Sequence, residues 1–132
     1  VYREEVTAAP PLDPITDSAA AHRWQVDANS VMLFRYSALT FNGHRIHYDL
    51  PYSTNVEGHG GLLVHGPLQS TLMLNLACSI GGKLPKHMAY RGVRPLVCGD
   101  PIMVDASPED ATLAACVRGA DGNITMKATV TP

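Results

Sequence analysis

The sequence predicts an α+β domain in which an antiparallel sheet of five strands wraps around one long central helix. Three observations predict it. First, Leu68, Leu72, Leu76 and Ile80 recur every four residues, and Met73, Leu74, Ala77 and Cys78 fill most other sides of the same stretch. A helix apolar around most of its circumference is a buried one. Second, everything after it reads as short, β-branched or alternating strands parted by turn signals. Third, what precedes it is one short strand and polar helical loops, and a sheet wrapped around the helix buries it best.

Residues 1–20 read as an N-terminal segment or linker and residues 21–132 as the domain. Val1–Val6 resembles the end of a strand, and Thr7–Thr16 carries three prolines, as a connector does. A disordered tail is the alternative reading of the same composition. Trp24-Gln25-Val26 is a strand candidate closed by Asp27 and Asn29. Ser30 is the expected N-cap of a helix running through Val31, Leu33 and Phe34 to Thr40, which Asn42-Gly43 breaks. Asp49-Leu50-Pro51 starts a short helical turn. The stretch Glu57-Gly58-His59-Gly60-Gly61 is a flexible approach to Leu62–Val64, and Gly66-Pro67 opens the main helix, which Gly81-Gly82 ends. Strands are expected at Met88–Cys98, Ile102–Ala106, Thr112–Arg118 and Ile124–Val130, joined as a meander. Their turns are Gly99-Asp100-Pro101, Ser107-Pro108-Glu109-Asp110 and the hairpin Asp121-Gly122-Asn123. The open edge of such a sheet invites pairing with a second copy.

At 132 residues the chain is one domain, with a formal net charge of −2 and no basic run. Nucleic acid and membrane surfaces are therefore not expected partners. Cys78, Cys98 and Cys116 lack CxxC spacing and read as reduced, mostly buried thiols. No apolar run approaches the length of a membrane span, and no signal peptide is read. The expected compartment is cytoplasmic, or mitochondrial in a eukaryote. The first residue is Val and not Met, so the natural start is expected to be missing.

The chemistry concentrates in Tyr36–Asp49, YSALTFNGHRIHYD, and around His65. Such groups can hold a water and move a proton, and they stand near the start of an apolar helix, as a small acid–base enzyme needs. His44, His47 and Asp49 have a spacing that suits zinc or iron, but a further firm ligand is missing, so no metal is expected. A Cys–His nucleophile is disfavoured because the cysteines fall in apolar helix or strand positions. Ser37 and Ser70 lack a G-x-S-x-G setting. His22 and His87 read as ordinary structural or surface histidines. His47 shares its segment with Asn42, His44 and Asp49, and that reading suits it less.

Tyr36–Asp49 resembles the signature of the MaoC-like, R-specific enoyl-thioester hydratases of the hot-dog fold: an aromatic, a short turn, then Gly-Asp-x-Asn-Pro-aliphatic-His. It aligns without a gap, with Ile46 on the aliphatic position and His47 on the catalytic histidine. Val64-His65-Gly66-Pro67-Leu68 resembles the family's Ala-His-Gly-Met-Leu. Pro95–Ile102 is similar to its Pro-hydrophobic-x-x-Gly-Asp-x-hydrophobic segment. The departures are Phe41 for Gly, Asn42 for the catalytic Asp, His44 for Asn and Arg45 for Pro. The wording FRYSALTFNGHRIHYD is closer to the subgroup of type 2 hydroxyacyl-thioester dehydratases and mesaconyl-, methylfumaryl- and itaconyl-CoA hydratases. Several of those have two hot-dog halves, one degenerate, and the opening VYREEV with its prolines is similar to the end of such a first half.

The resemblance implies a lyase of acyl-CoA or fatty acid metabolism that reversibly hydrates a 2-enoyl thioester, of CoA or an acyl-carrier protein, without a cofactor. A short branched or dicarboxylic acyl group such as mesaconyl or itaconyl is implied by the subgroup. His47 is the implied base, Asn42 orients the water, and the N–H of Gly66 stabilises the enolate oxygen. The missing side chain of Gly66 lets the thioester approach. Tyr36, His44, Arg45 and His65 are assigned to substrate binding, and Arg91 or Arg94 to the CoA phosphates by charge alone. A homodimer, or pairing with a second hot-dog half, closes the tunnel for the substrate. Two alternatives stay open. One is a hot-dog acyl-CoA thioesterase, which places its carboxylate on the central helix, where Leu68–Ile80 has none. The other is a non-catalytic acyl-thioester-binding half, favoured by Asn42 and opposed by the intact His47 and His65-Gly66.

Overall fold

The computed structural model describes residues 20–132. The strand end and proline connector expected before them lie outside the described residues. The elements are β1 (His22–Val26), α1 (Ser30–Thr40), a 3₁₀ turn (Arg45–His47), α2 (Leu50–Asn55), α3 (Gly66–Gly81), β2 (His87–Gly92), β3 (Ile102–Glu109), β4 (Thr112–Arg118) and β5 (Ile124–Thr131). All strand pairs are antiparallel, in the order β1-β3-β4-β5-β2. The sheet with its one long helix is the hot-dog architecture. Only β3-β4-β5 is a meander, however, and β2 is set at the far edge beside β5, because hairpin turns join only those three strands.

The helix α3 packs against β2, β3, β4 and β5. Leu68, Met73 and Leu76 meet Val104, Ala115, Val117 and Met126 in one core. Burial of such side chains contributes about 1.5–3 kcal/mol each. The expectation of burial all round is corrected. Thr71, Asn75 and Ser79 are exposed, and Leu72, Leu74, Cys78 and Ile80 are only half-buried, because one sheet covers one side of the helix.

Local chemistry sets the helix ends. Asn29, one residue before the expected Ser30, caps α1: its Oδ1 accepts the N–H of Met32 at 3.0 Å. Phe41 ends α1 in the left-handed region, φ 54°, where glycine is favoured. Asp49 caps α2 by accepting the N–H of Tyr52, and Gly82, φ 66°, closes α3. The single strand expected over Met88–Cys98 is two segments. After Gly92 both Val93 and Arg94 donate to Thr125 O, and Pro95 has no N–H to extend the ladder. Leu96–Cys98 then pairs with Leu62–Val64, with Val64 N donating to Leu96 O at 2.8 Å and Cys98 N to Leu62 O at 2.7 Å. That pairing delivers the chain to His65 and the start of α3. The strand β3 also runs past its expected end at Ala106 to Glu109, and the turn falls at Asp110, φ 50°.

On the sheet face away from α3, Asp105 is buried and takes two guanidinium groups. Arg23 Nε and Nη2 donate to it at 2.6 and 2.8 Å, and Arg118 Nε at 3.1 Å. Burial alone would raise its pKa, but Arg23 and Arg118 hold the carboxyl below the usual range. The three cysteines are free and half-buried rather than buried. Among the described residues no helix is long and apolar enough to cross a membrane.

Candidate active site

The site is built on the junction between the 3₁₀ turn and the segment leading into α3. Buried Ile46 anchors the turn, and its carbonyl accepts the N–H of Leu63 at 2.9 Å. Leu63 returns the bond: its carbonyl accepts from His47 Nδ1 at 2.7 Å. A carbonyl only accepts, so Nδ1 carries the proton and Nε2 of neutral His47 is a free lone pair. Burial, and then the neighbouring His44, push the His47 pKa below the ordinary imidazole value, against the bond to Leu63.

His65 caps this arrangement. Wholly buried at the N-cap of α3, its ring stacks on that of His47 with centroids 3.7 Å apart and an interplanar angle of 17°. Burial and the facing His47 push its pKa down to about 4, so the ring is uncharged at neutral pH. Its Nε2 lies 2.8 Å from Ser37 Oγ, which the inner face of α1 buries. Tyr36 meets the same ring edge-on at 4.8 Å. Next in the chain, Gly66 is the first residue of α3, so its N–H has no acceptor within the helix and points from the positive end of the dipole. A Cβ there would meet only Met126 Cε, at 3.6 Å, so nothing in the protein itself requires glycine.

Tyr36, His47, His65 and Gly66 are thus brought together, and His44 adjoins them, its ring edge-on to His47 at 5.7 Å. The other expected site residues are disposed differently. His44 Nε2 is engaged by Glu57 at 3.0 Å, which holds that carboxyl below its usual range. The Oδ1 of half-buried Asn42 accepts the N–H of His44 at 3.1 Å, which fixes the side chain and leaves its amide NH₂ uncommitted. Arg45 is tied to Asp49 at 2.8 Å and lies 4.1 Å over the Tyr52 ring. Arg91, in register with Lys127 beside the core-facing Met126 and Ala128, lies on the opposite face of the sheet. Arg94 is half-buried near Asp121, whose carboxyl it helps to hold low after Asn123. Neither arginine meets the histidine pair.

Two contributors escaped the sequence reading. Ser37 lacks a nucleophile motif, yet it falls on the inward side of its helix with Leu33. Glu57 was hidden in a glycine-rich loop that folds it onto His44, with His59 3.5 Å away. The spacing that suited a metal does not converge. Asp49 caps α2 and takes Arg45, and His47 Nδ1 is spent on Leu63. Among the described residues no three His, Cys, Asp or Glu side chains come together to hold an ion.

Comparison with known proteins places this geometry. The mesaconyl-C(4)-CoA hydratase of Chloroflexus aurantiacus is 37% identical over 98% of this chain, which spans 47% of that protein's length. Among solved structures, the (R)-hydratase from A. caviae superposes with a TM-score of 0.71 at 16% identity, covering 89% of this chain and all (100%) of that one. The ChsH1–ChsH2 complex from Mycobacterium tuberculosis gives 0.71 at 16% identity, over 85% of this chain and 92% of that one. Both likenesses carry the fold. The model of one family, hydroxyacyl-thioester dehydratase type 2, matches residues 1–98, a span that includes the 3₁₀ turn, the stacked histidines and Gly66. By that match and by its identity to the Chloroflexus hydratase, the chain belongs to the hydroxyacyl-thioester dehydratase type 2 family.

Proposed function

We infer that this domain catalyses the reversible addition of water to a 2-enoyl thioester, with His47 as general base. The observation that carries the reading is the bond from His47 Nδ1 to Leu63 O, which commits one ring nitrogen and leaves the other uncommitted on a ring stacked against His65, the N-cap of α3. In the hydration direction a water oxygen bonds to C3 as its proton passes to His47 Nε2. The electron pair of the double bond moves towards the thioester oxygen, where the N–H of Gly66 stabilises the enolate, and C2 then takes the proton from His47 Nε2, which returns the base to its starting state. The net change is H at C2 and OH at C3, with no redox partner needed. The lowered pKa of His47 keeps it unprotonated, and so ready as a base, at neutral pH. The amide NH₂ of Asn42 is assigned to directing the water.

Family membership and the Chloroflexus relative support an acyl-CoA substrate with a short branched or dicarboxylic acyl group. Three free thiols suit a reducing, cytoplasm-like compartment. The exposed flank of α3 and the two edge strands, β1 and β2, favour pairing with a second hot-dog unit that closes the substrate tunnel.

The test is turnover of crotonyl-, mesaconyl- and itaconyl-CoA, followed by loss of the enoyl absorbance. His47→Ala should lower it by about 10²–10⁴-fold, the usual worth of a positioned base. Near-normal turnover in His47→Ala would refute this mechanism. Release of free thiol instead would make the protein a thioesterase, and tight acyl-CoA binding with no turnover a binding half.

A further inference from the structure

We propose that Ser37 is a positioning residue that locks His65 as its uncharged Nδ1–H tautomer and so keeps a neutral aromatic face against His47 while His47 holds a proton. The proposal rests on the reading of His47 as the base and deepens it.

The lock follows from donor and acceptor arithmetic. Ser37 is 7% exposed, and its hydroxyl has one proton that must find an acceptor inside the protein. Thr40 and Ser70 return theirs to backbone carbonyls of their own helices, Tyr36 O at 2.7 Å and Pro67 O at 2.9 Å. Ser37 does not. Among the described residues its hydroxyl bonds to His65 Nε2 alone, at 2.8 Å. Donation from Oγ requires a bare Nε2, which puts the proton of the neutral ring on Nδ1. The opposite tautomer would make Nε2 the donor and strand the buried hydroxyl proton. Protonating His65 does the same, and it also puts a cation in a wholly buried ring. Buried Nδ1 has no partner among the described residues, so this tautomer leaves one N–H unpaired, whereas the opposite one strands both the Ser37 hydroxyl proton and the Nδ1 lone pair.

The consequence passes to His47 through the stack. With the rings 3.7 Å apart, an imidazolium at His47 faces the π system of His65, which is favourable when His65 is neutral and repulsive when it is charged. The surroundings leave this pair to itself. From the turn, His44 lies edge-on to His47 and is paired with Glu57, and Arg45 and Asp49 neutralise each other. From α1, Tyr36 is edge-on to His65. The helix α3 brings no charged residue, and its Gln69 is bonded to Thr125 of the sheet. The paired segment Leu62 and Cys98 adds only a thiol, whose pKa burial raises.

The experiment reads the tautomer directly, by long-range ¹H–¹⁵N correlation of the histidine rings in labelled protein, in wild type, Ser37→Ala and Ser37→Thr. Wild-type His65 should show the Nδ1–H pattern at neutral pH. Ser37→Ala should lose it, and Ser37→Thr, which keeps the hydroxyl, should restore it. In turnover, Ser37→Ala should lower kcat on the order of tenfold, the rate equivalent of the net worth of one hydrogen bond, with KM little changed. The acid limb of its pH profile should steepen and move to higher pH as His65 begins to accept a proton. An Nε2–H or charged His65 in wild type would overturn the proposal, and so would Ser37→Ala with an unaltered tautomer and pH profile. The wild-type spectrum alone can refute it if a variant does not fold. A tautomer that responds as expected in a protein that hydrates no enoyl thioester would sink the hydratase reading and leave the lock standing.

Discussion

The buried His65 makes stability fall in mild acid, and its share can be isolated. In the unfolded chain an imidazole takes its proton near pH 6.5, whereas burial and the facing His47 push the folded ring down to about 4. Between those values the unfolded state binds a proton that the native state refuses, so stability is complete above pH 6.5 and declines as pH falls towards 4. From pH 7 to pH 5 the loss from this one ring is about 2 kcal/mol. His47 adds to it with the same sign, because its pKa is also lowered. The perturbation is His65→Gln, which cannot be charged. Urea unfolding followed by circular dichroism at pH 7 and pH 5 gives the two stabilities for each protein. His65→Gln should start less stable at pH 7, having lost the stack. It should then lose about 2 kcal/mol less than wild type on acidification. An equal loss in both proteins would show that His65 is not held neutral in the fold, and the account of the stacked pair would fail with it.

Two further outcomes follow from the geometry. Gly66→Ala should fold with near wild-type stability, since the new Cβ meets only Met126 Cε at 3.6 Å, yet lose turnover because the methyl group occupies the approach to the N–H. Matched unfolding and activity curves check this, and an active variant would remove Gly66 from the enolate contact. Asp105→Asn should cost about 2 kcal/mol, less than a fully buried ion pair because Arg23 is 42% exposed. As the Asp105 pKa is lowered, its contribution is present above the ordinary carboxylate value and lost as pH falls through the folded one. Acid unfolding midpoints of the two proteins test that.

What could be read from the sequence, and what could not, divides along local and non-local physics. The apolar helix, its Gly66-Pro67 opening, the short turn after Asp49 and the Asp121-Gly122-Asn123 hairpin are set within a few residues, and they appear where periodicity and turn chemistry put them. The position of β2 at the far edge depends on which strands a crossover joins, and no local pattern encodes that. The exposed flank of α3 is marked in the sequence by Thr71, Asn75 and Ser79, and the half-buried Leu72, Leu74, Cys78 and Ile80 beside them show apolarity without showing what covers it. In the site, the identity of His47 and His65 was legible because they lie in recognisable segments, but their stacking was not. It needs Leu62–Val64 to pair with Leu96–Cys98, after an interruption where Val93 and Arg94 both donate to Thr125 O and Pro95 has no N–H to extend the ladder. Phe41 shows how a departure from a family pattern can be decoded only in three dimensions. Phe41 stands at φ 54°, a left-handed turn that suits the glycine of the pattern it resembles and costs a residue with a Cβ roughly 1 kcal/mol. Phe41 bears that strain with its ring 96% exposed, so no packing in the described chain offsets it. The turn it forms is nonetheless the one that releases Asn42, His44 and His47 from the helical path of Tyr36 and Ser37. The site therefore depends on the backbone of Phe41 rather than on its side chain.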